Sequence, residues 1–329
     1  MATMRAWQVS SIADPPMLAP AQLPVPTPRE GEGLVRVAYA ALNFSDLLMV
    51  RGTYQVKPPL PFTPGQEISG TVIDAGPRGG AAVGTRIAAK VLWGGFAERA
   101  VVRTDMAIPL PPNISLAEGA TIPVVWPTAW IALFNRGRLV SGEQVLILAA
   151  AGGVGIAAVQ LAKAAGARVI AATRGTDKLA LCRSLGADIV IDYSASTWVE
   201  DVLKATDGHG ADVVFDPVGG GIGDSSVKCL AWGGRLLVVG YASGQIPAIR
   251  TNRLMLRNAG ALGVYWSHEK DPTVIAEAVE AILARHAAGK LRFEIGRRYP
   301  FERLPDALTD LAARRTAGKA VLTIDPSQT

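Results

Sequence analysis

The sequence predicts an α/β protein in which a doubly wound parallel sheet is joined to a second, β-rich domain. Two observations lead to this fold class. The chain has 329 residues, which exceeds the ~250 to 300 residues at which single hydrophobic cores stop growing, so two domains are expected. Short segments rich in Pro and Gly fill its first part, whereas apolar runs of strand length alternate with Ala-rich helical stretches in its middle.

Residues 1–124 are expected to form the β-rich domain. Segments such as 34–39 and 68–73 have the short alternating pattern of strands, which places one face of each strand in a core. Because Pro and Gly punctuate the connections between such segments, we expect a barrel-like arrangement.

Residues 125–265 are expected to form the parallel sheet. Helical stretches separate the apolar runs here, and this rhythm indicates βαβ units. The six strands that we expect cover residues 145–150, 168–173, 189–191, 213–215, 236–240 and 262–265. Six strands complete a doubly wound (Rossmann) sheet.

Residues 266–329 are expected to return to the first domain. They predict a helix over 271–288, a strand over 293–299, a helix over 304–313 and a strand over 320–324. These elements are too few for a core of their own.

A glycine turn follows the first strand of the expected parallel sheet. Residues 150–155 have the pattern A-x-G-x-x-G, with Ala150 in the first glycine position. Gly152 lets the backbone approach a pyrophosphate, Gly153 and Val154 open the helix whose amides bind the anion, and Gly155 lets that helix pack on the sheet. The turn therefore predicts a dinucleotide site.

The end of the second strand predicts which dinucleotide binds. An enzyme specific for NAD places Asp or Glu there, but this strand ends Thr173-Arg174 and Lys178 follows. Asp177 lies further on and is explained as a helix cap. The positive charges of Arg174 and Lys178 favour binding of the 2′-phosphate of NADPH. The alternative is that both are ordinary solvent-exposed residues at the start of a helix.

Composition and charge exclude other classes of protein. The net charge is +5 and the sequence pI is about 9.3, but the basic residues are scattered, which favours neither nucleic acid nor a membrane as partner. No apolar run reaches membrane-spanning length and no signal-peptide core is present, so we expect a cytoplasmic protein. Cys182 and Cys229 have no metal spacing, and the three His residues lack a partner at i+3 or i+4, so no metal is expected.

Several ordered segments carry a resemblance to a known family. They are ALNFSDLLMVRGTY (41–54), PFTPGQEISGTV (61–72), WPTAW (126–130), AAAGGVGIAAVQLAKAAGARVI (149–170), FDPVGG (215–220), GGRLLVVGYASG (233–244) and GKAVLTI (318–324). Over nearly its whole length the chain resembles the zinc-independent medium-chain dehydrogenase/reductases, the NADPH:quinone oxidoreductase (ζ-crystallin-like) group. The resemblance implies a Rossmann domain and a β-rich, GroES-like catalytic domain.

The resemblance also implies that both zinc sites of related alcohol dehydrogenases are absent. Those relatives have a catalytic Cys near the position of Asn43 and a Gly-His-Glu triplet, whereas this chain reads Gly65-Gln66-Glu67. The cysteines of their structural zinc lobe are also missing from residues 75–105. Hydride transfer without a metal is therefore expected.

Three residues of the β-rich domain are candidate catalytic residues by resemblance. Asn43 and Asp46 are expected beside the nicotinamide, where they orient the ring and the acceptor, although backbone capping explains Asp46 equally well. Tyr54 matches a tyrosine that donates a proton or orients substrate in related 2-enoyl thioester reductases. A wall of the substrate pocket is the other explanation of this phenol.

The resemblance adds four residues to the expected cofactor site. Thr128 is expected at the nicotinamide end and Tyr193 near the adenosine phosphate, while Gly240 and Tyr241 end the fifth strand, at the carboxyl edge where ligands collect. Members of the family commonly pair the edge of the nucleotide-binding sheet, so a homodimer through residues 261–265 is expected.

The leading hypothesis is an NADPH-dependent reductase that transfers a hydride to a quinone or an α,β-unsaturated carbonyl. A 2-enoyl thioester (enoyl-CoA) reductase is the alternative within the family. A protein that binds NADPH without catalysis is the hypothesis from another class, since fold alone does not exclude it. A zinc alcohol dehydrogenase is the third alternative, against which the residues at 65–67 argue.

Overall fold

A computed structural model describes residues 2–12, 17–77 and 80–328. The chain divides into two compact units. The β-rich unit contains the chain up to Val124 together with the chain from Phe293 onward, and the parallel-sheet unit is Val125–Arg292.

The described residues form fifteen strands. They are β1 Thr3–Ser11, β2 Met17–Pro24, β3 Glu32–Ala41, β4 Glu67–Asp74, β5 Arg86–Lys90, β6 Arg99–Arg103, β7 Ala107–Pro109, β8 Gln144–Leu148, β9 Arg168–Thr173, β10 Ile189–Asp192, β11 Ala211–Asp216, β12 Leu230–Val238, β13 Gly260–Gly263, β14 Ile295–Pro300 and β15 Lys319–Thr323.

Ten α-helices are assigned within the same ranges. They are α1 Phe44–Val50, α2 Leu116–Gly119, α3 Val125–Trp130, α4 Gly153–Ala164, α5 Thr176–Ser184, α6 Trp198–Ala205, α7 Gly220–Ser226, α8 Thr251–Arg257, α9 Pro272–Ala287 and α10 Leu304–Ala312.

The β-rich unit is built on a seven-stranded sheet. Its order is β14-β15-β3-β4-β5-β7, with β6 also paired to β3, and every pair except β14–β15 is antiparallel. Val37, Ile68, Phe96 and Leu322 are fully buried in its core. Because β4 and β15 both run antiparallel to β3, the end of β3 lies beside the starts of both neighbours. Three distant chain segments therefore meet at this point.

The parallel-sheet unit has six strands in the order β10-β9-β8-β11-β12-β13. All five pairs are parallel. The strand order reverses between β8 and β11, and in open sheets ligands bind at the carboxyl edge beside such a reversal. This sheet confirms the fold class expected from the sequence.

The largest differences from the sequence-based expectations concern β12 and the domain boundary. β12 begins at Leu230, six residues before the expected start. Its pairing with β11 shifts register near Gly233 and Gly234, so the strand continues through these two glycines. The chain rejoins the β-rich unit at Phe293, whereas the expected return is at residue 266. Helix α9 accounts for this difference, since Ile275 packs in the parallel-sheet unit with Ile131 and Trp266.

Candidate active site

A buried polar cluster lies where β3, β4 and β15 meet. It consists of Asn43, Asp46, Glu67 and Lys319, which are 7%, 0%, 0% and 2% exposed. Asn43 lies two residues after β3 and is the N-cap of α1, which contains Asp46. Glu67 and Lys319 are the first residues of β4 and β15. The sheet register thus brings together side chains that are far apart in the sequence.

Both ends of the Asn43 carboxamide are hydrogen-bonded inside this cluster. Its Nδ2 donates to Glu67 Oε2 at 3.0 Å, and its Oδ1 accepts a hydrogen bond from the Lys319 ammonium. The resemblance implies that Asn43 contacts the cofactor and substrate. Its carboxamide is held first by charged residues of the protein.

Glu67 and Lys319 form the buried ion pair of this cluster. Lys319 Nζ lies 2.7 Å from Glu67 Oε2 and donates to the carbonyl oxygen of Leu42 at 3.0 Å. Glu67 Oε1 accepts from the backbone N–H of Val124 at 2.7 Å. Buried charges are retained in proteins when they are paired and hydrogen-bonded in this way.

Asp46 caps the start of α1. Its Oδ2 accepts from the backbone N–H of Asn43 at 2.8 Å, as the capping explanation expects. Burial raises the pKa of the Asp46 carboxyl to about 7, which the nearby Glu67 charge reinforces, while the Asn43 N–H and the Lys319 charge act in the opposite direction. Asp46 therefore changes charge near neutral pH, where an ordinary Asp does not.

Asp46→Asn is expected to flatten the pH dependence of stability. The native state holds the Asp46 proton up to about pH 7, whereas the unfolded state releases it near pH 4, so wild-type stability falls as pH rises between these values. We expect the Asn variant to lack this fall, on the order of 3 kcal/mol. Urea unfolding of both proteins at pH 5 and pH 8 measures the difference.

Asp105→Asn is the matched control, because Asp105 belongs to an exposed ion pair with Arg103 in the same unit. Equal pH slopes for wild type and Asp46→Asn contradict the prediction.

The resemblance places Gln66 where zinc-dependent relatives have a His, and the structure buries its side chain. Its Oε1 accepts a hydrogen bond from the hydroxyl of Ser45. Within residues 2–12, 17–77 and 80–328, no group of three or more His, Cys, Asp or Glu side chains has the arrangement of a metal site.

Tyr54 lies a few residues after α1 and is half-buried. It packs against an apolar cluster that includes Met49 and Val50 of α1 and Phe62. The ring is thus fixed on the same helix whose first turn contains Asp46.

The glycine turn joins β8 to α4. Gly155 packs against the turn itself, since a Cβ at this position would lie 2.3 Å from the Ala149 carbonyl oxygen. A Cβ on Gly152 would lie 3.2 Å from the same oxygen. Gly152 is the N-cap of α4 and offers no capping side chain, so the first-turn amides, including those of Gly153 and Val154, are suited to an anion.

Thr173 and Arg174, at the end of β9, differ in their exposure to solvent. Thr173 is 3% exposed, whereas Arg174 is exposed. The neighbouring strand β10 ends at Asp192, which accepts from the backbone N–H of Gly175 at 3.3 Å. Hydrogen bonds from Ser194 hold the pKa of Asp192 below its usual range, and the charge of Arg174 adds to this effect. The positive charge at the strand end therefore has a carboxylate beside it.

The other residues expected to bind cofactor occupy separate places in the parallel-sheet unit. Thr128 Oγ1, in α3, accepts a hydrogen bond from Trp266 Nε1 at 2.9 Å. Tyr193 is half-buried, and its backbone N–H donates to the Thr173 carbonyl at 3.1 Å.

Gly240 and Tyr241 follow β12 at the carboxyl edge. The Gly240 N–H donates to the Asp216 carbonyl at 3.3 Å, so the loops after β11 and β12 lie together. Tyr241 is 38% exposed there.

Three residues of these sites, Glu67, Lys319 and Asp192, were not predicted from the sequence. Lys319 and Glu67 are charged residues at the first position of largely buried strands, and this is the signal that could have identified them. Asp192 ends a strand at the carboxyl edge, where polar residues collect around ligands.

Comparison with known proteins connects these features to a family. Residues 153–284 match the family described as zinc-binding dehydrogenase, and residues 29–112 match the alcohol dehydrogenase GroES-like domain. Quinone oxidoreductase-like protein 2 homolog of Nematostella vectensis is 37% identical over 300 residues, which are 89% of this chain and 82% of the relative. Prostaglandin reductase-3 of Bos taurus is 35% identical over 323 residues, covering 92% and 84% of the two chains.

A solved structure is similar in both fold and sequence. The quinone oxidoreductase of Thermus thermophilus, which was also solved in complex with NADPH, superposes with a TM-score of 0.85 at 36% identity and covers 98% of this chain and 100% of its own. A parallel sheet with a glycine turn, combined with a GroES-like unit, defines the medium-chain dehydrogenase/reductases. Within that class, the chain belongs to the quinone oxidoreductase-like family of oxidoreductases.

None of the helices among the described residues is both long enough and apolar enough to cross a membrane.

Proposed function

We propose that this protein is a zinc-independent reductase that uses NADPH to reduce a quinone or an α,β-unsaturated carbonyl. The observation that carries the proposal is the uncapped start of α4 behind the packed glycine turn, in a family whose similar structures include an NADPH complex. When bound, NADPH supplies a hydride, that is, two electrons and one proton of the reduction.

The chain's own residues bind and orient the reacting groups. The amides of Gly153 and Val154 hold the pyrophosphate at the N-terminus of α4, and Arg174 and Lys178 lie near the 2′-phosphate. Thr128, Tyr193, Gly240 and Tyr241 complete this part of the proposed cofactor site.

The proposed substrate side belongs to the β-rich unit. Asn43 donates a hydrogen bond to a carbonyl oxygen there, which is where negative charge develops during hydride transfer. Asp46 holds the backbone of Asn43. In the reduction of a quinone the second proton comes from solvent, whereas in the reduction of an enoyl thioester Tyr54 donates it.

The chemistry of Gln66 supports the zinc-independent assignment. An amide that accepts from Ser45 stands in place of the imidazole that a zinc site requires. Metal analysis of the purified protein tests this part of the proposal, and stoichiometric zinc overturns it in favour of a zinc alcohol dehydrogenase.

Oxidation of NADPH, with NADH as control, against quinones, enones and enoyl-CoA thioesters tests the proposed function. Turnover of quinones or enones with NADPH preferred is expected. Tight binding of NADPH with no turnover of any acceptor overturns the proposal and supports a binding protein without catalysis.

Arg174→Ala is expected to raise the KM for NADPH about tenfold, which corresponds to about 1.4 kcal/mol. The KM for NADH is expected to stay unchanged, because NADH lacks the 2′-phosphate that the exposed guanidinium would bind. Arg183→Ala, near the other end of α5, is the matched control. Equal losses with both cofactors show that Arg174 does not select between them.

Tyr54→Phe separates the two candidate reactions. The resemblance of Tyr54 to a tyrosine of 2-enoyl thioester reductases supports that reaction as the second candidate, in which loss of the phenol proton is expected to lower turnover at least ~100-fold. Under the leading proposal, quinone turnover of the variant stays near wild type. Tyr265→Phe, at a ring that is 67% exposed, is the control.

A homodimer through β13 is part of the proposal. β13 is an edge of the six-stranded sheet, and Met255, Leu256 and Tyr265 around it are 72%, 67% and 67% exposed. Exposed edges of this kind favour pairing with another strand. Light scattering of the purified protein gives the mass, and a monomer contradicts the assignment.

Cytoplasmic location stays a prediction from the sequence.

A further inference from the structure

The Asn43 carboxamide has opposite charges at its two ends. The ammonium of Lys319 lies at Oδ1 and the carboxylate of Glu67 at Nδ2. Turning the amide over would place its NH₂ group against a cation that only donates, and its oxygen against a carboxylate that only accepts. The ion pair therefore selects one orientation of the amide.

One donor of this oriented amide stays available. An amide NH₂ group has two hydrogens, and Asn43 gives one of them to Glu67. Its second Nδ2 hydrogen has no acceptor among the residues that the structure describes. Because Asn43 is only 7% exposed and buried donors are seldom left without an acceptor, this N–H is suited to an acceptor atom of a bound molecule.

We propose that Lys319 and Glu67 are positioning residues, which fix the Asn43 carboxamide so that its N–H points to a carbonyl oxygen of the reacting molecules. The inference rests on the proposed reductase function. Either the acceptor substrate or the nicotinamide carboxamide supplies this oxygen. The alternative role of the pair is only to balance charge in the core.

The double variant Glu67→Gln/Lys319→Met tests the proposal. It removes both charges, so it avoids the single buried charge that each single variant leaves, and it lets the amide of Asn43 adopt both orientations. We expect its melting temperature to stay near wild type while kcat/KM falls about tenfold. A loss in kcat with unchanged NADPH affinity assigns the oxygen to the substrate, and a weaker NADPH affinity assigns it to the nicotinamide.

The same double change in an Asn43→Ala background tests whether the pair acts through Asn43. We expect no further loss beyond that of Asn43→Ala alone, because residues that act through one group are not additive. Losses that multiply overturn the proposal, as does a double variant with wild-type kcat/KM and NADPH affinity. Lys163→Met, at a surface ion pair with Asp188, controls for the loss of a lysine.

A measurement without turnover separates this inference from the proposed function. In a ¹H–¹⁵N correlation spectrum, the Nδ2 signals of Asn43, assigned by their absence in Asn43→Ala, are expected to be shifted in wild type and to move toward free-amide values in the double variant. Unmoved signals overturn the positioning role. If the Asn43 signals move in the double variant but the wild-type protein reduces none of the acceptors, the positioning role is supported and the proposed reaction is overturned.

Discussion

Lys319→Met is expected to lower the free energy of unfolding by about 3–5 kcal/mol. The substitution leaves Glu67 fully buried, with hydrogen bonds from Asn43 and Val124 but no positive partner. Breaking a buried pair by removing one partner is costly because the remaining charge stays out of water. Urea or guanidinium unfolding, followed by circular dichroism, measures the loss.

Lys163→Met is the control for this stability measurement as well. Lys163 and Asp188 form an ion pair at 2.5 Å, but their side chains are 45% and 32% exposed. Such surface pairs contribute about 0 to 1 kcal/mol. If Lys319→Met costs no more than Lys163→Met, the buried pair does not stabilise the β-rich unit as its burial suggests.

Gly155→Ala is expected to weaken NADPH binding at least ~100-fold, or about 2.7 kcal/mol. The added Cβ would lie 2.3 Å from the Ala149 carbonyl oxygen and 2.7 Å from both Cα and O of Ala150. These are backbone atoms, so the start of α4 must move away from β8, and the proposed pyrophosphate amides move with it. Titration of NADPH by isothermal calorimetry measures the affinity.

Gly221→Ala provides the matched control for this change. Gly221 lies in α7, outside the left-handed region, and a Cβ there would meet no heavy atom within 4 Å. Its affinity for NADPH is expected to equal that of wild type. Tight binding by Gly155→Ala would mean that the turn relaxes without disturbing the cofactor site.

The parallel sheet was predictable because most of its strands contain a run of apolar residues. β9 was predicted at both ends, and β8 and β10 begin within one residue of expectation. Buried parallel strands need apolar side chains on both faces, which gives a strong local signal. Helix α9 was also predicted, but its place in the parallel-sheet unit was not. That place depends on contacts of Ile275 with residues that include the sequence-distant Ile131.

The candidate site was only partly predictable. The segment from Asn43 to Asp46 was found by resemblance, yet Lys319, which bonds to Asn43, lies 276 residues further along the chain. That contact depends on β15 pairing with β3, and no local pattern of charge or hydropathy encodes such a pairing. For Asp46, the sequence left capping and catalysis equally open. The structure adds the capping hydrogen bond and the burial that raises its pKa.

The position of β14 and β15 has a consequence for biosynthesis. A nascent chain that has reached Arg292 contains every strand of the parallel-sheet unit, but it lacks the two strands that complete the β-rich unit. Domains tend to fold in the order in which they leave the ribosome, yet here the unit that starts the chain is the later one to be completed. Until β15 emerges, the last residues of β3 lack a pairing partner on one edge, and Glu67 lacks the ammonium of Lys319. A nascent chain whose residues up to 292 have left the ribosome is therefore expected to have a protease-resistant second unit and a protease-sensitive first one.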